Sequence, residues 1–373
     1  MRWLWGELPN SSFERLRDAH RNSSIKTRLI VFLIPPVILL MGITGYMNYE
    51  ISKTFIKNAI NRSSHIQVMA LRYELESFLD RWREDTLRLS HNRITEALLK
   101  SFLETGGPLN GAAYLGASFI SQNSADLIIL IAKGGLIAQT SQAIGTEMKP
   151  IPLIYYEKLS QLTEGEVWLS PVTEMAFPFP VPDNPHQRLV RKVVHLGTPC
   201  VENGKTTGYL LVTVDAVGLR NMLSLYNSER SPIWAFPRTA EERYFFLFDT
   251  DGWILFQSEL VDKPQTDLST HLARSGYSGT LGRQGLDCAF RPDSIFNHYW
   301  SMVESVREGG HDSILMTAHP PGSFGKDYFL AYAPIRLKTK PDQPPEVVAG
   351  AAFMDISRLS MTAGYKQLDT MMI

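Results

Sequence analysis

The chain falls into three stretches of different hydropathy. Residues 29–47 are one apolar run flanked by Arg21, Lys26 and Arg28. From about Glu50 to Glu104 there is no proline, and Leu71, Leu75, Phe78 and Trp82 recur at helical spacing with Arg72, Glu76, Asp80, Arg83 and Glu84 on the other side. Beyond Asp126, short blocks of Ile, Leu, Val and Phe are separated by Gly, Asn and Pro. The first stretch predicts a membrane-spanning helix over 29–49, since roughly nineteen residues at about 1.5 Å each approach the hydrocarbon thickness of a bilayer. The second predicts one long amphipathic helix over 50–104, either a stalk or a lid on a folded body. The third predicts strands and tight turns.

The basic leader, residues 1–28, carries Arg2, Arg15, Arg17, Arg21, Lys26 and Arg28 against Glu7, Glu14 and Asp18. The positive-inside rule then keeps the leader in the cytoplasm and puts the bulk of the chain outside. A cleaved signal peptide is the competing reading, but the leader is long, the apolar run exceeds a usual h-region and no small-residue cleavage site follows. Pro35-Pro36 predicts a kink.

Gly106-Gly107-Pro108 closes the long helix. Residues 126–141 then read as a hairpin about Gly134-Gly135, 152–162 as a short helix and 167–169 as a strand. Residues 177–185 read as a proline-rich loop outside the sheet. Two further strands, 188–198 and 209–215, flank the turn Asn203-Gly204. The order then recurs. Residues 244–258 repeat the first hairpin, with Gly252 aligning to Gly135 and Ser258 to Ser141; residues 328–335 repeat the strand ending at Pro199; and 347–355 repeat 208–215, each closing on an aspartate, Asp215 and Asp355. The expected fold class is α+β, with two tandem antiparallel-sheet units at 105–228 and 240–360, separately cored and divided near 227–240, and a C-terminal tail at 361–373.

Composition narrows the function. The 373 residues carry a net charge of −1, which leaves no footprint for nucleic acid. Two cysteines, Cys200 and Cys288, suit an oxidising compartment, and the sequence leaves a disulfide between them open. Nine histidines show no metal-ligand spacing, and Asp249-Thr250-Asp251-Gly252 reads as a tight turn because it lacks further acidic ligands for calcium. Gly204-Lys205-Thr206 and Gly276-Tyr277-Ser278-Gly279 each miss a residue their catalytic motifs require, Pro199 and Thr280 standing in place of glycine. No metal, cofactor or enzyme class is expected.

The run from Leu247 to Leu255, the run from Gly208 to Asp215, their duplication, and their place behind an anchor and a long helix resemble the double Cache sensors. These are paired PAS-like extracytoplasmic modules of bacterial chemoreceptors, histidine kinases and cyclases. The likeness covers roughly residues 30–359. It implies a single-pass protein of the bacterial inner membrane with its bulk periplasmic or extracellular. In such a protein the membrane-distal first unit holds a small-molecule ligand, and dimers are common. The family's amino-acid binders carry Arg-x-Trp-Tyr near the short helix, a later Tyr, and an Asp ending the last distal strand. Here the segment is Leu153-Ile154-Tyr155-Tyr156, Val172 stands for the later Tyr, and Asp215 matches, which argues against an α-amino acid. The candidate ligand residues are Tyr155, Tyr156, Trp168, Arg188, His195 and Asp215, with Arg191 beside them. Structural alternatives are aromatics in the core, Asp215 capping the next helix, and basic residues on a solvated strand face.

The leading expectation is therefore a sensory module that binds a ligand and transmits a conformational change. Two alternatives stay beside it: an accessory ligand-binding protein acting in trans on a membrane partner, since the chain reaches Ile373 without an output domain, and an anchored hydrolase.

Overall fold

The computed structural model describes residues 25–105, 125–135, 137–140, 153–181, 184–224, 243–258, 268–274, 276–318 and 326–355. Two units are distinguished: residues 1–59 with 359–373, and residues 60–358. The described part of the first is the beginning of helix α1, Ile25–Ser90, which runs through Pro35 and Pro36. Ile30, Leu33, Ile38, Leu40, Ile43 and Met47 are all more than half exposed there. Among the described residues no helix is long and apolar enough to cross a membrane. The span expected at 29–49 is not reproduced among them; Leu29, Val31 and Phe32 within it lie outside the residues whose side chains are described.

The long helix expected over 50–104 is two helices. After Ser90 the chain breaks at His91-Asn92 and restarts as α2, Arg93–Thr105. The break is built from side chains that compete with the helix backbone: Ser90 Oγ donates to the Leu87 carbonyl at 2.8 Å, and Asn92 Oδ1 accepts from Ile94 N–H at 2.9 Å as an N-cap. Val68, Leu71, Leu75, Leu79, Trp82 and Leu89 form the buried stripe of α1; of the four residues that the spacing singles out, Leu71, Leu75 and Trp82 are buried and Phe78 is partly buried against them.

The N-terminal sheet contains β1 (Ala125–Ala132), β2 (Ile137–Thr140), β3 (Trp168–Leu169), β4 (Thr173–Val181), β5 (Asn184–Glu202) and β6 (Lys205–Asp215). The order is β2-β1-β6-β5-β3, with β4 also on β5. Helix α3, Leu153–Ser160, lies between β2 and β3 in sequence, and α4, Val217–Ser224, follows β6. β1 is apolar from Leu127 to Ala132 because both its faces are buried there: Ile128 and Leu130 join the cluster with α1, while Leu127, Ile129 and Ile131 join a second with Leu159 of α3. Asn203 (φ 51°) and Gly204 (φ 75°) turn β5 into β6 with the left-handed backbone a type I′ hairpin needs. Residues 177–185 are not a loop outside the sheet, since most of them fall in β4 and β5 and Pro180 pairs with Arg188. The prolines are tolerated because β4 pairs with β5 alone, leaving its other side without a ladder to break.

The C-terminal sheet contains β7 (Arg243–Asp249), β8 (Ile254–Gln257), β9 (Gly279–Arg283), β10 (Leu286–Pro292), β11 (Asp312–Ala318), β12 (Lys326–Leu337) and β13 (Glu346–Asp355), in the order β11-β12-β13-β7-β8-β10-β9. Helices α5, Leu268–Arg274, and α6, Asn297–Arg307, belong to the same half. The run β8-β7-β13-β12 matches β2-β1-β6-β5, so the pairing order repeats. The register corrects one detail of the repeat. Ile128 pairs with Val212 and the equivalent Phe245 with Phe353, so Val214, not Asp215, is the counterpart of Asp355. The two closing aspartates are one position out of step, which in a strand is a change of face.

One apolar cluster contains α1, Ile128, Leu130 and Val212 of the first sheet, and Phe245, Leu247, Phe353 and Ala351 of the second. Both sheets thus share core with α1, whereas separate cores were expected. The divide expected at 227–240 lies outside the described residues. Cys200 and Cys288 are both free thiols; burial pushes them up to about 12 and about 11 respectively.

Candidate functional site

Helix α3 covers one face of the N-terminal sheet. It approaches closely because β5 carries Gly197 under it: a Cβ there would lie 2.1 Å from Leu159 Cδ2. Register then decides which strand residues share that face. His195 pairs with Thr213, Val193 with Asp215, and Met175 with Arg191, and strand alternation sets Arg191, Val193 and His195 on one side.

Three candidates meet there. The Tyr155 ring lies 5.3 Å from Trp168 and 5.1 Å from His195. His195 is held on every side: its backbone N–H donates to Ser170 Oγ at 2.8 Å, its carbonyl accepts from Ser170 N–H at 2.8 Å, and its Nδ1 is 2.9 Å from Thr213 Oγ1. Burial drives its pKa down to about 4, because a charged imidazolium would lose its hydration without a carboxylate to replace it. It is therefore a neutral hydrogen-bonding group near pH 7. Next along the same strands, Arg191 Nη1 donates to Asp215 Oδ2 at 3.3 Å.

Tyr156 has a different position. Its hydroxyl accepts from Gly134 N–H at 2.8 Å, and its ring stands edge-on to Tyr209 at 5.7 Å, tying α3 to the β1–β2 turn. Burial, and secondarily Tyr156, raises the Tyr209 hydroxyl above its usual range. The Arg188 side chain lies outside the described residues. Ser170, Thr213 and Met175 were not anticipated. Thr213 had a signal, because it alternates with Asp215 at the end of a stretch that is otherwise apolar from Tyr209 to Val214, whereas Ser170 needed the β3–β5 pairing.

A bridge leads from this region to the other sheet. Val172, where the later Tyr was expected, is buried, and its carbonyl accepts from Arg283 Nη2 at 3.1 Å while Nη1 of the same guanidinium pairs with Asp249. Asp249 Oδ1 also accepts from Asp251 N–H (3.0 Å) and Trp253 N–H (2.9 Å), closing the tight turn expected there. Burial raises its carboxyl pKa, outweighing the Trp253 N–H and Arg283, which lower it. Among the described residues no group of three His, Cys, Asp or Glu could hold a metal ion.

Comparison of the whole chain with solved structures finds sensory domains. The extracellular domain of vpHK1S-Z8, assigned as a histidine kinase, superposes with a TM-score of 0.50 at 13% identity, covering 83% of this chain and 97% of that one. The chain has the fold of the extracytoplasmic sensory domains. The periplasmic sensory domain of the Campylobacter jejuni chemoreceptor Tlp1 (TM-score 0.49, 11% identity, 82% and 98% covered) is also similar, as is a domain from Vibrio parahaemolyticus assigned to the sensory box/GGDEF family (0.49, 13%, 82% and 99%). This is the fold that the resemblance to double Cache sensors implies. No protein-family profile matches the chain, and no curated protein matches its sequence.

Proposed function

We propose that this chain is the ligand-binding part of a membrane-anchored, extracytoplasmic sensor. In this reading residues 29–49 anchor it with the leader in the cytoplasm, and the two sheets are PAS-like units, the first membrane-distal. A small molecule binds on the α3-covered face of the first. The single observation that carries the binding role is the Tyr155–Trp168–His195 cluster beside the Arg191–Asp215 pair, aromatic walls with a few oriented polar groups. Support for the anchor is the row of exposed Ile, Leu and Met between Ile30 and Met47, a surface that lipid would cover. Support for signalling through α1 is the cluster it shares with both sheets; a ligand that favours one arrangement of the first sheet biases the helix packed on it.

Two experiments test this. Thermal melts of the full chain in detergent against a panel of small polar metabolites should reveal a stabiliser, by about 2.7 kcal/mol at one hundred times its dissociation constant. Tyr155→Ala should remove that shift, and a shift it leaves intact places the ligand elsewhere. Alkaline phosphatase fused after Leu225 should be active in cells; an inactive fusion beside a working cytoplasmic reporter at the same site reverses the topology.

A further inference from the structure

The segment from Val167 to Glu174 belongs to the N-terminal half in chain order and carries Trp168 and Ser170 of the candidate face. Toward that face it is pinned to β5: Ser170 N–H donates to the His195 carbonyl and Ser170 Oγ accepts from His195 N–H, both at 2.8 Å. Its two ends bond instead to the C-terminal half. Val167 N–H donates to the Thr339 carbonyl beyond β12 at 2.8 Å, the Val172 carbonyl accepts from Arg283 Nη2 of β9 at 3.1 Å, and Glu174 N–H donates to the Gly285 carbonyl between β9 and β10 at 2.6 Å. Val167, Ser170 and Val172 are buried, so a bond lost there leaves a polar group unpaired rather than hydrated. Pro171 stands between Ser170 and Val172 with a fixed φ, and the residue before a proline is restricted too. The link between the two has little slack.

Arg283 carries the connection onward. Its guanidinium joins the Val172 carbonyl to Asp249, whose Oδ1 accepts from Trp253 N–H at 2.9 Å across the tight turn. Two carbonyls of that turn are held by α6: Thr250 accepts from Arg307 Nη2 at 2.8 Å and Gly252 from the Tyr299 hydroxyl at 2.9 Å. We infer that residues 167–174 form a strap coupling the two sheets, with Ser170 its grip on His195 and Arg283 its anchor in the C-terminal half. The strap reaches α6 without passing through α1, so it adds a second route to the one proposed above. Its use by a ligand rests on the binding face proposed there; the coupling itself belongs to the unliganded chain.

Coupling between two sites is reciprocal, which allows a test without ligand. Residue-resolved hydrogen exchange on the full chain in detergent reads local opening at each end of the strap. Ser170→Ala removes the acceptor of the His195 amide and should speed exchange at Trp253, in the other half, by about threefold or more relative to β12. Arg283→Lys keeps a cation for Asp249 but loses the fork that also reaches Val172, and should speed exchange at Ser170 and His195 by a similar factor relative to β12. In urea unfolding the effect of the double variant should fall short of the product of the single effects by about threefold or more. Exchange changes confined to the half that bears the substitution overturn the strap, and so does an acceleration uniform across both sheets or a double variant whose effects simply multiply. If Ser170→Ala does not fold, the response of Ser170 and His195 to Arg283→Lys, which keeps the ion pair, decides alone. Because no ligand is added, a strap that fails leaves the binding face standing, and a chain that binds none of the metabolites leaves the strap standing.

Discussion

The two sheets pair their strands in the same order, but their helix-covered faces differ in kind. At the register positions where the N-terminal sheet carries His195 opposite Thr213, the C-terminal sheet carries Leu330 opposite Met354. Where the first has Gly197 and Leu211, the second has Tyr332 and Ala352. The C-terminal face is closed by Phe246, Phe248, Leu330 and Tyr332 against Tyr299, Met302 and Val303 of α6, one apolar cluster. The N-terminal face places a buried histidine and a threonine in that position. Polar groups in a place the repeat can fill with hydrocarbon are costly to bury, and proteins tolerate such local inconsistency mainly at working sites. The contrast supports the proposed reading in which the N-terminal copy of the repeat binds and the C-terminal copy supports it.

The largest effect should come from opening the supporting face. Phe248 is fully buried and its ring stands over Gly350, where an added Cβ would lie 2.2 Å from Cζ. Phe248→Ala should cost about 3–5 kcal/mol in urea unfolding of the full chain. Gly350→Ala should cost about 1–3 kcal/mol by overpacking. If Phe248→Ala costs under about 1 kcal/mol, the C-terminal face is not the sealed one and the comparison fails.

The second effect separates the faces by pH. Histidine titrates near 6.5 when unfolded, and His195 titrates near 4 in the folded chain. Between those values the unfolded state binds more protons, so stability falls as pH drops through the window and is kept above it. At about 1.4 kcal/mol per unit, the loss attributable to His195 approaches about 3 kcal/mol near pH 4. Exchanging the pair for its C-terminal counterpart, His195→Leu with Thr213→Met, should flatten the stability curve between pH 4 and 6.5. A curve equally steep in the exchanged protein assigns the titration to other groups.

Most of the fold was legible because its strands are written as apolar blocks with unambiguous turns: Asn203-Gly204 and Gly134-Gly135 lie at hairpin ends with positive φ. The breaks were less legible. Nothing in the hydropathy from 50 to 104 marks His91-Asn92, because the helix ends there through side-chain hydrogen bonds rather than a Pro or Gly. The proline-bearing β4 was misplaced because proline forbids a central strand, not one paired on a single side. For the candidate site, residue type alone singles out Tyr155, Trp168, His195 and Asp215, but only register shows that Asp215 is answered by Arg191 and that Asp355 is not its counterpart. Aligning the two closing aspartates slips the repeat by one residue, and a strand reverses its face for each such slip.

The smallest effect concerns how α1 holds the supporting sheet. Glu76 Oε1 accepts from Arg336 N–H of β12 at 2.9 Å and from Arg72 Nε at 2.9 Å, and Arg336 Nη2 donates to the Gly309 carbonyl at 2.8 Å. These residues line a charged groove of about 660 Å³ that also contains Asp80, Arg83 and Lys338. Burial, the largest influence, raises the Asp80 carboxyl pKa against the pull of Arg83. Glu76→Gln keeps an acceptor for the Arg336 amide and loses only the charge, so it should cost about 1 kcal/mol or less. Glu76→Ala leaves that amide without its acceptor and should cost about 1–3 kcal/mol. If α1 carries the signal, Glu76→Ala should also reduce the ligand's effect on hydrogen exchange in β12 while leaving its affinity for the N-terminal face unchanged. An affinity that falls with the exchange signal would mean that Glu76 acts on the binding face directly, and the division between a binding copy and a supporting copy would have to be redrawn.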